Sequence, residues 1–276
     1  MAKGHWTLDD IPWDRFDVSK VDDEMIKIVK AASLVEYNGH DYATYLCNVF
    51  DDDEAFQDAA RQWASEEVQH GEALGRWAQM ADPDFDFDRA VKRFRESYRI
   101  PVEATQSSRG SRSGELVSRC IVEVGTSSYY GSIAKATEEP VLKDIAQKIA
   151  GDELRHYKLF YDHLRRYVSQ ERISKLRRLM VCAGRINETE DDELAYAYFC
   201  ANAPDDAPYD RKRWSEAYMA RACGFYDRKH IDRGAAMIAK AAGLNPQNRI
   251  VPLFSRLAYG MMRRKHARYK SDAAAA

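Results

Sequence analysis

The feature of this sequence that most restricts its fold is a short unit that occurs twice. Two segments carry the pattern Glu-x-x-His, and each has a further glutamate upstream, 31 residues earlier in the first copy and 30 in the second. The residues concerned are Glu36, Glu67, His70, Glu123, Glu153 and His156. In a helix, residues three apart share a face. One copy alone is typical of surface ion pairs, but two copies with matching spacing predict a repeated pair of helices.

Apolar residues at spacings of three and four surround each of these glutamates, and Gly and Pro are few, so the chain is predicted to be all-α. The four helices that carry the unit are predicted over residues 22–50, 54–80, 114–137 and 140–167. A carboxylate in the middle of each apolar stripe would be costly to bury alone. Two divalent cations would balance the four glutamates, and the two imidazoles would complete the ligand set.

This donor set predicts a pair of metal ions inside a four-helix bundle, because one glutamate from each of two helices and Glu-x-x-His from the other two form the carboxylate-bridged di-metal arrangement. Mixed oxygen and nitrogen donors favour two iron ions, with manganese also compatible. The five cysteines are dispersed and form no Cys-x-x-Cys pair, so neither a zinc ribbon nor a rubredoxin-type site is expected.

Composition excludes several other classes of function. The net charge of -2 gives no general attraction to nucleic acid. No apolar run approaches the roughly 20 residues that a membrane span needs, and residues 1–16 lack the apolar core of a secretory signal. Scattered, odd-numbered cysteines suit a reducing cytoplasm, which is the expected location.

Four regions are predicted along the chain. They are an N-terminal extension (1–21), a di-metal four-helix bundle (22–168), a C-terminal helical extension packed on the bundle (169–270) and a disordered tail (271–276). Helices in the extension are expected at about 171–186, 190–201, 210–242 and 250–269, whereas residues 84–113 are expected to be less regular.

Three motifs resemble those of the ferritin-like di-iron carboxylate superfamily, and within it the soluble acyl-carrier-protein desaturases are closest in appearance. The motifs are Trp63-Ala-Ser-Glu-Glu-Val-Gln-His-Gly71, Glu123-Val-Gly-Thr126 and Asp152-Glu-Leu-Arg-His156. The resemblance spans about residues 22–168. The chain is shorter than the plant desaturases. Aldehyde-deformylating oxygenases share the ligand pattern and rubrerythrins share the bundle, so both remain as alternatives.

By the resemblance to the di-iron carboxylate superfamily, Thr126 is a candidate catalytic residue that binds oxygen at the metals or relays a proton. A helical threonine more commonly bonds its own backbone.

Each Glu-x-x-His pattern follows another acidic residue. A metal-bound histidine usually donates its second N–H to a carboxylate or carbonyl, so Asp152 is predicted to orient His70 and Glu66 to orient His156. Ordinary exposed acids are the alternative interpretation. His40, one turn after Glu36, is interpreted as a core histidine, with a role near the metals as the alternative.

The predicted function is that of an oxygen-dependent di-iron oxidoreductase, of desaturase or hydroxylase type, acting on a small apolar or acyl substrate. The alternatives are a peroxidase or ferroxidase of rubrerythrin type and a non-catalytic iron-binding protein. Two basic segments, residues 165–178 and 256–270, are interpreted as solvated helix faces or as docking sites for an acidic partner. A ferredoxin or an acyl carrier protein would be such a partner, and a homodimer is the candidate assembly.

Overall fold

A computed structural model of the chain describes residues 5–188 and 192–275, and this part is helical with no strand. The all-α prediction is therefore confirmed for the described residues. Three single 3-10 turns, Leu8–Asp10, Trp13–Arg15 and Val18–Lys20, precede the α-helices. The α-helices are α1 (Asp23–Glu36), α2 (Gly39–Val49), α3 (Glu54–Ala81), α4 (Phe87–Ser97), α5 (Arg112–Ala136), α6 (Pro140–Glu171), α7 (Lys175–Asn187), α8 (Asp192–Asn202), α9 (Arg211–Phe225), α10 (Arg228–Ala241) and α11 (Ile250–Ala275).

Capping side chains define where the long helices begin. The Asp53 carboxylate accepts a hydrogen bond from the backbone N–H of Phe56 and starts α3, as the acidic cluster at residues 51–54 predicts. Glu139 caps α6 in the same way, and Pro140 occupies the first turn, where its missing N–H costs nothing. These caps fix the start of two ligand-bearing helices.

The first bundle helix, predicted as continuous over residues 22–50, is broken at Tyr37 and Asn38 into α1 and α2. The break lies against α3, where the two backbones approach closely. A Cβ atom built on Gly71 would lie 2.5 Å from the Tyr37 nitrogen, and one built on Gly39 would lie 2.7 Å from the Glu67 Cβ. Only glycine fits at these two positions, and the break changes the helical phase directly after Glu36.

Three further differences from the predicted helices are present, and the first two follow from local capping signals. The stretch expected to be irregular contains α4, which starts at the Asp86 cap and buries Phe87, Val91 and Phe94. The single helix expected over residues 210–242 is divided near Tyr226, because Asp227 caps a new helix, α10. At the other end, α11 continues to Ala275, beyond its predicted end at residue 269.

The helices that carry the six predicted ligand residues pack together. The connection at residues 137–139 folds α6 back along α5, α1 and α2 both pack on α3, and α3 contacts α6. The later helices lie against this core: α8 packs on α1, α10 packs on α5, and α11 packs on α9 and α10. The exact region boundaries stay predictions.

Two hydrophobic clusters lie on either side of the ligand residues. One includes Ile28, Trp77 and Ile149, and the other includes Leu46 and Phe160. On α3 and α6 the predicted ligand residues fall between the segments that contribute to the two clusters, and on α5 Glu123 lies near the end of the segment that contributes to the second cluster. The polar site is therefore enclosed by apolar packing above and below, as the stripes predict. Among the described residues, no helix combines the length and the apolar character that crossing a membrane requires.

Candidate metal centre

The six predicted ligand residues meet at one place in the core and form two overlapping groups. One group contains Glu36, Glu67, His70 and Glu153, and the other contains Glu67, Glu123, Glu153 and His156. Within each group, one donor atom from every residue lies within 4.8 Å of all the others. Glu67 and Glu153 belong to both groups, so each could bridge two ions. The arrangement could therefore hold two metal ions, each with carboxylate oxygens and one imidazole nitrogen.

Burial and missing hydrogen bonds give the strongest evidence that this cluster is suited to metal. All six residues are buried. Each of them has a buried side-chain atom without a hydrogen-bond partner: Glu36 Oε2, Glu67 Oε1, His70 Nδ1, Glu123 Oε1, Glu153 Oε1 and His156 Nδ1. Folded proteins rarely leave such atoms unsatisfied. The nearest protein groups to these atoms are one another: His156 Nδ1 lies 2.9 Å from Glu67 Oε1, and His70 Nδ1 lies 3.4 Å from Glu153 Oε1. A bound cation would contact atoms from all six residues.

The two histidines face the cluster with Nδ1 and contact an acid with Nε2. His70 Nε2 lies 3.1 Å from Asp152 Oδ2, and His156 Nε2 lies 3.0 Å from Glu66 Oε2. Both predicted partner contacts are therefore present, each between α3 and α6. An N–H held at Nε2 by a carboxylate leaves the Nδ1 lone pair directed to the centre, as a metal ligand requires.

Three residues around these acids were not predicted from the sequence. The Trp6 indole N–H donates to Asp152 over 2.8 Å, and the ring stacks on His70 with centroids 5.9 Å apart. Arg155 pairs with Asp152 and, at 3.0 Å, with Glu66, so one guanidinium connects the two acids. His5 Nδ1 lies 3.1 Å from Glu66 Oε1. The only sequence signal was the position of Arg155 inside the second Glu-x-x-His pattern.

The protonation of the metal-free cluster reflects its burial. Burial and repulsion from Glu153 raise the pKa of Glu67 and of Glu123 well above the usual range. Burial also acts to raise the pKa of Glu153, but its contacts with both histidines hold it well below the usual range. Glu153 therefore ionises more readily than a free glutamate, while Glu67 and Glu123 hold their protons to higher pH, and a bound cation would displace those protons.

The same balance acts on the histidines. Burial alone would lower their pKa values, but the pKa of His70 is raised well above normal by its contacts with Asp152, Glu153 and Glu36. The pKa of His156 is raised similarly by the carboxylates around it. Both rings consequently hold a second proton to higher pH than a free histidine, and that positive charge offsets the charge of the ionised carboxylates around them.

Two hydroxyl groups donate to the ligand carboxylates. Thr126 Oγ1 lies 2.6 Å from Glu153 Oε2 and also contacts the Val122 carbonyl oxygen at 3.2 Å. The threonine thus bonds its own backbone, as is common, and also reaches the centre. The Tyr130 hydroxyl donates to Glu36 Oε1 over 2.6 Å. These donors fix the orientation of one shared and one unshared carboxylate.

His40 does not belong to the centre, and its prediction as a buried histidine is wrong. The break after Glu36 turns it outward, where it is exposed and lines a surface cleft of about 530 Å³. A larger cleft of about 640 Å³ lies between α1, α4 and α8. Neither cleft is lined by a predicted ligand residue. Trp63 instead lies edge-on to His156, with ring centroids 6.4 Å apart, and Phe160 packs on Trp63.

Comparison with known proteins adds no family to this picture. No protein-family model matches the sequence, and a search of curated proteins finds no match. The assignment of the centre consequently depends on the geometry and chemistry of its own residues.

Proposed function

We propose that the chain is a di-iron oxidoreductase built on a ferritin-like four-helix bundle, with further C-terminal helices packed on it. The observation that carries the proposal is the set of six unpartnered buried donor atoms, one on each predicted ligand. Four carboxylates and two imidazoles balance two divalent cations, and this donor set suits iron, or manganese, better than metals that prefer thiolates. The motif resemblance to the di-iron carboxylate superfamily supports the same assignment.

The protein residues have separable roles in this proposal. Glu67 and Glu153, which belong to both donor groups, would span the two ions, and Glu36 and Glu123 would each bind one. When bound, the iron pair supplies the capacity to exchange electrons with dioxygen or peroxide. The protein keeps bulk water away by apolar packing on both sides of the centre.

Thr126 is the residue we propose for proton handling. Its hydroxyl donates to Glu153 Oε2 and is half-buried, so it lies between a ligand carboxylate and the outside of the core. A hydroxyl in this position can pass a proton to that oxygen or receive one from it. Asp152 and Glu66 are positioning residues, because they act on the metals only through the histidines.

A small apolar or acyl substrate, oxidised in a desaturase-like or hydroxylase-like reaction, is the leading candidate for the reaction and rests on the motif resemblance. The aromatic packing of Trp63 beside His156 favours a second candidate, reduction of peroxide or oxidation of iron, because both need only small reactants. Neither described cleft reaches the ligands.

Anaerobic loading with Fe(II), followed by removal of free metal and elemental analysis, tests the centre. Two iron ions per chain are expected, and fewer than about one would refute the proposal, because a closed carboxylate shell retains such ions. Loaded protein is then exposed separately to air-saturated buffer and to hydrogen peroxide. Turnover with peroxide alone would support the second candidate. Consumption of dioxygen that increases with an added acyl compound would support the first.

A matched pair of variants distinguishes the loss of the Glu153 carboxylate from a general effect of substitution on α6. Glu153→Ala should lose iron and redox activity together. Asp144→Asn is the control, because this residue lies on the same helix and pairs at the surface with Lys148 over 2.7 Å. Equal iron content in the two variants would contradict the assignment of Glu153.

A further inference from the structure

The outward face of α11 carries a continuous apolar row over three turns. Large side chains at i, i+3, i+4, i+7 and i+11 are all exposed, and Phe254 is the most open at 64%. The members of the row are Ile250, Leu253, Phe254, Leu257 and Met261. The opposite face packs on α9 and α10 through residues such as Val251 and Ser255, so the row faces away from the protein.

Basic residues border and extend this row. Arg256 and Arg263 lie on its flank, and Arg264 follows Met261 by three residues on the same line of the helix. Across α11 the sequence has six basic residues and one acidic residue, a net charge of +5. Apolar and basic groups on one helix face are typical of a helix that lies on an anionic lipid surface.

The neighbouring helix α7 has the same character. Leu176, Leu179 and Met180 are exposed on it. The Arg178 guanidinium lies against Gly243, in the connection between α10 and α11. The segment 165–188 has seven basic and two acidic residues, again a net charge of +5.

The distribution of charge favours an anionic lipid surface over a second copy of the chain as the partner of the α11 face. The whole chain has a net charge of -2, so the sequence outside these two segments carries -12. A closed dimer would bring two copies of the same α11 face together, so two helices with a net charge of +5 each would meet. An anionic bilayer surface satisfies both components, because the apolar side chains enter the acyl boundary and the arginines meet the headgroups.

We propose that the outward face of α11 forms a docking surface for an anionic lipid membrane. The helix would lie in the interfacial plane without crossing the bilayer. This inference does not depend on the metal centre, and metal-free and metal-loaded protein should behave alike in its test.

Vesicle co-sedimentation of the full chain provides the test. Vesicles of phosphatidylcholine alone are compared with vesicles that contain about 30% phosphatidylglycerol. Binding to the anionic vesicles should be roughly ten-fold stronger or more and should weaken in about 0.5 M NaCl, since salt screens the arginines. Absence of binding to the anionic vesicles at low salt would overturn the proposal.

Variants at exposed positions identify the surface. Phe254→Ser with Leu257→Ser should lower binding to anionic vesicles by roughly ten-fold or more, while Arg263→Gln with Arg264→Gln should lower it and reduce its dependence on salt. Val18→Ser is the matched control, because Val18 is equally exposed but lies in the N-terminal segment.

The remaining outcomes also decide the question. Unchanged vesicle binding by the Phe254 and Leu257 double variant would refute the assigned surface. A dimer in sedimentation velocity that this double variant converts to monomer, without vesicle binding by the parent chain, would assign the face to a second copy and overturn the lipid proposal. Unchanged circular dichroism and thermal unfolding of the variants would confirm that each comparison is made between folded proteins.

Discussion

Replacing Asp152 by asparagine should weaken metal binding although all six predicted ligand residues stay intact. Asp152 is almost fully buried and receives the Trp6 N–H, contacts His70 Nε2 and pairs with Arg155. An asparagine has one acceptor oxygen and one donor nitrogen for these partners. In one orientation the NH₂ group of the amide faces the Arg155 guanidinium, and in the other it faces the Trp6 N–H and His70 Nε2.

The orientation that directs the amide nitrogen to His70 has the larger consequence. The amide would then donate to Nε2, and the histidine proton would move to Nδ1, which removes the lone pair that a metal needs. The opposite orientation keeps the hydrogen bond but loses the negative charge. We therefore expect affinity to fall by about 10- to 100-fold, or about 1.4–2.7 kcal/mol.

Glu66→Gln provides an internal comparison. Its side chain is 15% exposed, against 4% for Asp152, so water can replace part of its lost interaction with His156. The expected loss is nearer the lower limit, about 10-fold. Asp144→Asn, at a surface ion pair on the same helix, should change affinity little.

Mn(II) titration followed by electron paramagnetic resonance is the suitable assay, because free Mn(II) is detected directly and does not require turnover. Thermal unfolding of each metal-free variant establishes that it folds. If Asp152→Asn bound Mn(II) within about two-fold of the parent chain, the inferred orientation of His70 would be refuted.

Three further predictions concern metal stoichiometry, pH and the N-terminal segment. Glu36→Ala should lose one of two bound ions, whereas Glu153→Ala should lose both; equal stoichiometries by elemental analysis would contradict the two-group geometry. Because carboxylate contacts raise the pKa values of His70 and His156, metal binding at neutral pH should release protons and weaken as the pH falls. Calorimetry in buffers of different ionisation enthalpy measures this release, and a buffer-independent heat would disprove it. Trp6→Phe removes an indole N–H that bonds a buried carboxylate, so urea unfolding should show a loss of about 1.5–3 kcal/mol; a loss below about 0.5 kcal/mol would mean that the contact contributes little.

The sequence was most informative where a residue type is costly to bury. Glutamates in the middle of apolar stripes require compensation, so the repeated Glu-x-x-His spacing predicted which six side chains meet in the core. The same reasoning predicted the contacts of Asp152 and Glu66, because a histidine ligand needs a partner for its second nitrogen. Periodicity with capping residues predicted most helices, including the starts of α3 and α6.

Features that depend on packing between distant segments could not be read from spacing. The approach of Trp6 to Asp152 joins residues 146 positions apart, and nothing local marks it. The break at Tyr37 and Asn38 is similar, because the residues around it have an acceptable helical pattern. Its cause lies in the backbone of α3, and the error placed His40 inside the protein when it is exposed.

The close contact at Gly71 and Gly39 has a consequence for how substitutions at the centre are tolerated. Gly71 directly follows His70, and Gly39 lies against the Cβ of Glu67, yet neither glycine has a side chain that could bind a metal ion. A methyl group at either position would push α3 away from the α1–α2 turn and would move Glu36 and Glu67 apart. Tolerance to substitution would then be lowest at the six predicted ligands and the two glycines together, and the glycines would set the distance between the Glu36 and Glu67 carboxylates through backbone clearance alone.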